Sequence, residues 1–531
     1  MEHHVALDHD LSIRTTEELM TKVKEQRLAS TSHPIVYEVN TRVLVRELEQ
    51  RTGERVTLGT IPDAVLDEWA DFGFDAVWLM GVWTTGDIGV AIARSHEGLQ
   101  TEFRHALPDY RTEDIVGSPY AVKAYTVAAA LGGDQGLLHL RKRLRDRGLS
   151  LFLDFVPNHT ARDHHWVTRH PEYYVHGASD DDQRQPDYFF KTASANGEVV
   201  LALGRDPNFP GWTDTAQLNI FNPATRHAMI VTMQKIASMC DGIRCDMAML
   251  LLTEVFRNTW GDLALGAGTD VPEQEFWSEA IRSVKNDFPS ITFLAEAYWE
   301  KEWQLQQLGF DYTYDKKLYE RLSREGAAAV YDHLKAEKEY QRRSVRFIEN
   351  HDEQRAAQLF IPEAWHRAAA TVIATVPGMA LVHEGQLDGR RVRVPVQLNR
   401  RVVEEDTPHV RSFYDRLFAT VTHPVFRKGT WELLRVKPAW YDNFTSYNFL
   451  AYMWRLEEVG TRLIVVNYAP HIGQCYIELN LEGLKGASIE FRDLLGTASY
   501  VRERNALSTK GMYFDLPGYG LHLFEVVSHR S

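Results

Sequence analysis

Asp241-Gly242-Ile243-Arg244-Cys245-Asp246-Met247 and Phe293-Leu294-Ala295-Glu296-Ala297-Tyr298-Trp299 decide the fold. Each is a run of strand length, mostly apolar, and each carries a carboxylate at its end. Apolar residues at successive positions mark a strand buried on both faces, as in a parallel sheet covered by helices. Side chains two apart on a strand share a face, so Arg244 and Asp246 point the same way.

The same texture recurs outward from these two segments. Ile35-Val36-Tyr37-Glu38-Val39-Asn40 and Ala76-Val77-Trp78-Leu79-Met80 read as the first two strands, and Leu151-Phe152-Leu153-Asp154-Phe155-Val156 as the third. A sixth is expected near Phe310–Tyr314, a seventh over Val345–Asn350 and an eighth over Met379–His383. Helical spacing fills the gaps. Pro62 opens a helix with Val65, Leu66, Trp69 and Phe72 on one face. Asp134 is expected to cap one carrying Leu137, Leu140 and Leu144, which Gly148 ends, and Asn222-Pro223 starts one with Met229, Met233 and Ile236 inward. Eight strands alternating with helices imply an α/β fold, a closed (β/α)8 TIM barrel. An open doubly wound sheet is disfavoured, because no Gly-rich turn follows the first strand.

Two stretches depart from a plain barrel. About sixty residues rich in Asp, His and aromatics follow the third strand, an inserted subdomain at the mouth. After Lys428 the pattern turns to antiparallel strand signals over 449–454, 462–467, 475–479 and 521–526, a C-terminal β-sandwich. The expected divisions are an N-terminal helical extension at 1–33, with Thr15-Thr16-Glu17-Glu18 as a capping box, barrel at 34–159, insert at 160–218, barrel again at 219–427, and sandwich at 428–531. Asp180-Asp181-Asp182 in the insert reads as a solvated tip.

In 531 residues the net charge is −14, which argues against nucleic acid or anionic membrane as partner and suits a neutral small carbohydrate. Three cysteines make no disulfide framework and no zinc spacing. The amino terminus has no apolar signal core, so a cytoplasmic enzyme is expected, with its oligomeric state open.

A barrel builds its site at the carboxyl ends of its strands. Neighbouring strands lie about 4.8 Å apart, so Asp246 and Glu296 can face each other at the roughly 5–5.5 Å that a retaining glycosidase requires. Arg244 is expected to keep Asp246 ionised as nucleophile, while Glu296, facing that charge and walled by Tyr298 or Trp299, is expected to hold a proton.

Four motifs in order resemble the α-amylase family, glycoside hydrolase family 13: Asp154-Phe155-Val156-Pro157-Asn158-His159, Gly242-Ile243-Arg244-Cys245-Asp246, Leu294-Ala295-Glu296-Ala297, and Phe347-Ile348-Glu349-Asn350-His351-Asp352-Glu353. The resemblance implies Asp246 as nucleophile, Glu296 as acid/base and Asp352 as the acid that grips sugar hydroxyls and strains the ring. It implies substrate binding by His159 and His351, positioning of Asp246 by Arg244, and a sugar stacked on Tyr120 in Gly117-Ser118-Pro119-Tyr120-Ala121-Val122. Asp154 is expected to be structural. His383-Glu384-Gly385-Gln386 is similar to the family's eighth-strand loop, a place for wall residues.

The departures narrow the substrate. Many α-amylases follow the nucleophile with a Lys-His pair that contacts a polymer, where this chain has Met249-Leu250. The family's Asp before Leu-Asn is replaced by Gln217, which puts the shared calcium site in question while Asn158 stays a candidate ligand. No metal ligand is assigned, and no cofactor is expected to be required. A retaining hydrolase of a small α-glucoside, a disaccharide or a glucosylated polyol such as glucosylglycerol, is therefore expected. The alternatives are a transglycosylase or a sucrose- or trehalose-type phosphorylase with the same three acids, or a non-catalytic amylase-like binding protein. Arg205, Asp206, Arg390 and Arg391 are candidates to meet a charged or polyol aglycone.

Overall fold

The computed structural model describes residues 31–529 apart from 196, 266–269 and 406, so the expected N-terminal helix lies outside the described residues. Eight strands close a barrel: β1 (Ile35–Asn40), β2 (Ala76–Met80), β3 (Ser150–Phe155), β4 (Gly242–Cys245), β5 (Thr292–Ala295), β6 (Tyr312–Tyr314), β7 (Ser344–Arg346) and β8 (Met379–His383). Each pairs in parallel with its sequence neighbours, and β8 closes on β1. The barrel is the one expected.

Strand ends differ from the expectation where side chains capture the backbone. The β7 run was expected to reach Asn350 but stops at Arg346. Asn350 Oδ1 accepts from the amides of Asp352 and Glu353 at 3.0 and 2.9 Å, and this local turn takes the place of the ladder. On β4 and β5, Cys245 pairs with Ala295, which leaves Asp246 and Glu296 as the next positions in register.

The helices pack as their spacing predicts. Leu66 and Trp69 of Asp63–Asp71, Leu137, Leu140 and Leu144 of Gly133–Asp146, and Met229, Met233 and Ile236 of Pro223–Met239 are all buried. The Asn222 side chain caps the last, accepting from Ala224 N. Asp134 is not a cap. Gly132, at φ 96°, starts that helix, and Asp134 in its first turn accepts from Val127 N at 2.8 Å.

Inside the barrel, Val36, Ala76, Trp78, Phe152, Leu294, Tyr314, Val345 and Leu381 form a cluster separate from the helix-facing one. Gly242 is there because Phe152 leaves no room: a Cβ at 242 would stand 2.3 Å from that ring.

Two excursions rise from the barrel. The first, after β2, pairs Trp83–Thr85 with Val122–Val127 and carries Tyr120. The second, after β3, pairs His159–Ala161 with Thr215–Gln217 and holds a hairpin of Phe189–Ser194 with Gly197–Ala202. Its rings pack into the same apolar cluster as the barrel's helix-facing core, with Tyr174, Phe189 and Phe190 buried and Trp166, Tyr173, Tyr188 and Trp212 half-buried. Asp181 is buried rather than solvated, accepting from Ala178 N at 2.7 Å and pairing with Arg184 at 2.6 Å.

At the C-terminus a six-stranded antiparallel sheet (Thr430–Leu433, Phe449–Leu456, Gly460–Asn467, Leu521–His529, Ser488–Asp493, Ser499–Glu503) faces a three-stranded one (Val436–Pro438, Gly473–Ile477, Met512–Leu516). Phe449, Leu463, Cys475, Ile477, Phe514 and Phe524 belong to one cluster between them. No helix among the described residues is long and apolar enough to cross a membrane.

Gly242→Ala forces its methyl into the Phe152 ring. It should lower stability by about 1–3 kcal/mol, read as a fall in the urea midpoint of the barrel transition. A variant as stable as the parent would show that the β3–β4 contact is not tightly packed.

Candidate active site

The site is built around a guanidinium. Arg244 is wholly buried in the barrel, and its charge is met on three sides. Nη1 contacts Asp246 Oδ1 at 2.8 Å and Asp154 Oδ1 at 3.4 Å, and Nη2 contacts Glu296 Oε2 at 2.8 Å. The rings of Trp78, Tyr120 and Tyr314 lie 5.0, 5.4 and 5.7 Å from its centre. Trp78 Nε1 also donates to Asp154 Oδ2 at 3.1 Å, so Asp154 is tied into the barrel as expected. A buried cation is tolerated only with such partners.

Glu296 receives two further donors, Met247 N to Oε2 at 2.7 Å and the Tyr298 hydroxyl to Oε1 at 2.7 Å. Met247 is itself left-handed, at φ 42°, so the chain turns sharply just past this donor. Trp299 and Glu300, just past Tyr298, are also left-handed, both at φ 60°.

This corrects the expected electrostatics. Arg244 was to hold Asp246 ionised, but it divides its charge among three carboxylates. Burial drives the Asp246 carboxyl up to about 8, and the Glu296 charge adds to the rise, against the pull of Arg244. Glu296 meets two hydrogen-bond donors besides the Arg244 charge, not only the apolar wall expected. Asp246 is therefore the acid of the pair that burial keeps protonated near neutrality.

A second cluster adjoins the first. His351 Nδ1 lies 2.5 Å from Glu38 Oε1, and its Nε2 lies 3.1 Å from Asp352 Oδ2 and 2.6 Å from the Tyr120 hydroxyl. Burial would discharge this imidazole, yet Asp352 and Glu38 raise it well above its ordinary value and keep it cationic. In return, the His351 charge and hydrogen bond outweigh burial and hold Asp352 below the usual carboxylate range. Asp352 is the open member, with 47% of its side chain exposed. Tyr120 stacks on His351, centroids 5.4 Å apart at 21°. His159 is buried against Trp212 at 5.0 Å, and burial lowers it to about 4, a neutral imidazole.

Asp246, Glu296 and Arg244 thus meet directly, Tyr120, His351 and Asp352 form the adjoining group, and His159 stands beside Tyr120's backbone. Arg205, Asp206 and Arg390 are engaged within their own surroundings, while the Arg391 side chain is exposed and only its backbone is held. Arg205 lies over Tyr188 and Trp260, Asp206 accepts from Asn208 N, Arg390 donates to Glu404 O, and Arg391 N donates to the Glu404 side chain. Glu384 pairs with Arg401 at 2.6 Å.

Glu38 is the residue that sequence reasoning missed. The signal was present: Val36 and Glu38 share a face of β1, and Val36 lies in the barrel interior. An acid at such a position demands a cationic partner.

The residues that the resemblance offers for calcium do not fit it. The Asn158 carbonyl and carboxamide oxygens both accept from Gln217 Nε2, at 2.9 and 3.0 Å. Among the described residues, no group of three or more His, Cys, Asp or Glu could hold a metal ion.

Comparison with known proteins places this geometry. The family profile described as Alpha amylase, catalytic domain, matches residues 65–432. Alpha-amylase MalA of Haloarcula japonica is 24% identical over 68% of this chain and 44% of its own length. Alpha-amylase 3 of Dictyoglomus thermophilum is 20% identical over 65% of this chain and 62% of its own. The chain thus spans less than two thirds of either relative. Among solved structures, the maltogenic α-amylase AmyB from Thermotoga neapolitana superposes with a TM-score of 0.64 at 18% identity, covering 94% of this chain and 100% of that one. An α-amylase from Lactobacillus plantarum gives 0.61 at 19%, covering 95% and 99%. At these identities the structural likeness carries the fold alone.

The raised Asp246 sets a pH dependence. Its folded value lies above the unfolded one of about 3.9, so the native state binds that proton more tightly. The stability this gives is complete below about pH 4 and is lost as pH rises through about 8. Asp246→Asn, which imitates the protonated form, should raise the melting temperature relative to the parent at pH 8 and far less at pH 5. An equal shift at both values would contradict the raised Asp246 carboxyl.

Proposed function

The chain belongs to the α-amylase family of glycoside hydrolases, and from that we propose a retaining hydrolase of a small α-glucoside, a disaccharide or a glucosylated polyol. The observation that carries the reading is the single guanidinium of Arg244 in contact with both Asp246 and Glu296 at 2.8 Å. Two carboxylates bridged so closely, in register on neighbouring strands, suit the roughly 5 Å spacing of double displacement rather than the wider gap that admits water for inversion.

In this reading Asp246 attacks the anomeric carbon while Glu296 protonates the leaving oxygen, giving a glucosyl–Asp246 ester. Water, deprotonated by Glu296, then releases the sugar. Asp246 must give up its proton as substrate enters, while Glu296 carries the one it donates. Developing positive charge at the anomeric carbon favours the ionised Asp246, and Arg244, touching both acids, bridges them throughout. Asp352, kept ionised by His351 and open to the cleft, grips sugar hydroxyls together with His351 and His159, and Tyr120 lies beneath the ring.

The residues just after the nucleophile favour a small substrate. Met249 and Leu250 lie in the turn Ala248–Leu251, every residue of which is buried. They are core, and offer a glucan chain no polar grip. Trp299, 41% exposed three positions beyond Glu296, offers the aglycone an aromatic face.

Product formed from a panel of α-disaccharides and glucosylated polyols should appear first as the α-anomer by NMR. Glu296→Gln should lose about 10²–10⁴-fold in rate on alkyl glucosides and much less on α-glucosyl fluoride, whose leaving group needs no proton. Asp246→Asn should lose both. A β-anomer, or equal losses on both substrates in Glu296→Gln, sinks the assignment. Faster turnover of starch than of any disaccharide sinks the substrate class.

A further inference from the structure

We propose that Gln217 does the work of a cation: its side-chain amide clasps the insert to the end of β3 and makes this wall of the cleft independent of calcium. The strand His159–Ala161 runs antiparallel to Thr215–Gln217, with His159 opposite Gln217. Gln217 is completely buried at that junction. Its Nε2 faces three oxygens, Asn158 O at 2.9 Å, Asn158 Oδ1 at 3.0 Å and Leu218 O at 3.1 Å. An amide nitrogen has two hydrogens, so three acceptors around it are more than it can satisfy singly. Such crowding of oxygens about one point is what a bound cation also produces.

The orientation of the amide is fixed by its other end. Gln217 Oε1 accepts from Asn158 Nδ2 at 3.2 Å and faces Arg205 N at 3.4 Å. Flipping the group would set its oxygen against three oxygens and its nitrogen against two donors. The amide cannot coexist with a metal in the same place. Calcium takes six to eight oxygen ligands at 2.3–2.6 Å, and a carboxamide nitrogen donates and does not ligate. The three converging oxygens are also uncharged, so they give a divalent ion none of the carboxylate charge that its dehydration demands.

The position matters to the cleft. Asn158 immediately precedes His159, and His159 packs on Trp212 within the same insert. Holding Asn158 by both its carbonyl and its side chain fixes the backbone from which His159 projects. The inference concerns stability and stands whether or not the proposed substrate class is right.

The test is thermal unfolding of the full chain, in EDTA and in millimolar calcium chloride, for the parent, Gln217→Glu and Gln217→Met. The parent should melt at the same temperature in both. Gln217→Glu, which swaps the donor for a carboxylate facing three oxygens, should melt well below the parent in EDTA and recover part of the loss in calcium. Gln217→Met, which removes the donor without adding charge, should melt low in both and covers the event that the Glu variant fails to fold. A parent that gains several degrees with calcium overturns the proposal. So does either variant melting with the parent in EDTA, because the amide would then not hold the junction.

Discussion

A positive charge sealed inside a barrel has to be neutralised by what the barrel itself supplies. Arg244 is wholly buried, and leaving such a charge unpaired costs several kcal/mol. The chain answers with three carboxylates and three rings. Three acids exceed one guanidinium, so full ionisation would leave a surplus of negative charge in a space where charge is expensive. The surplus is relieved by protons: burial raises Asp154 to about 6 and Asp246 to about 8. Thus one constraint fixes both the geometry of the acids and the proton that acid–base chemistry needs.

The second cluster obeys the same rule with the numbers changed. His351 is one cation between two acids, Glu38 behind it and Asp352 in front. Glu38 is fully buried, whereas Asp352 faces the opening. The imidazolium therefore links a deep acid to a shallow one, keeping the exposed Asp352 charged. Tyr120 touches both clusters, stacked on His351 and lying over Arg244. It joins the His351 group to the Arg244 group.

Sequence carried the barrel because eight parallel strands and their helices write themselves as repeated apolar runs and helical spacings. It also carried the adjacency of Asp246 and Glu296, since strand register is a counting argument. What it did not carry was set by contacts remote in the chain. The partner of His351 is Glu38, 313 positions away, and no local pattern announces it. The proton balance of Asp246 depends on how Arg244 is shared, which no single strand reveals. The end of β7 and the burial of Asp181 turn on side-chain oxygens capturing nearby backbone amides, a competition that periodicity does not register.

The left-handed residue after Asp246 joins the two themes. Met247, whose N–H donates to Glu296, is held at φ 42°. That strain, of order 1–3 kcal/mol, is sustained by the four residues after it, Ala248 to Leu251, all packed in the core. Met249 and Leu250, both buried, anchor the turn that follows Asp246, beside the amide that donates to Glu296. A polar pair there would give up the packing that keeps Met247 in its strained conformation.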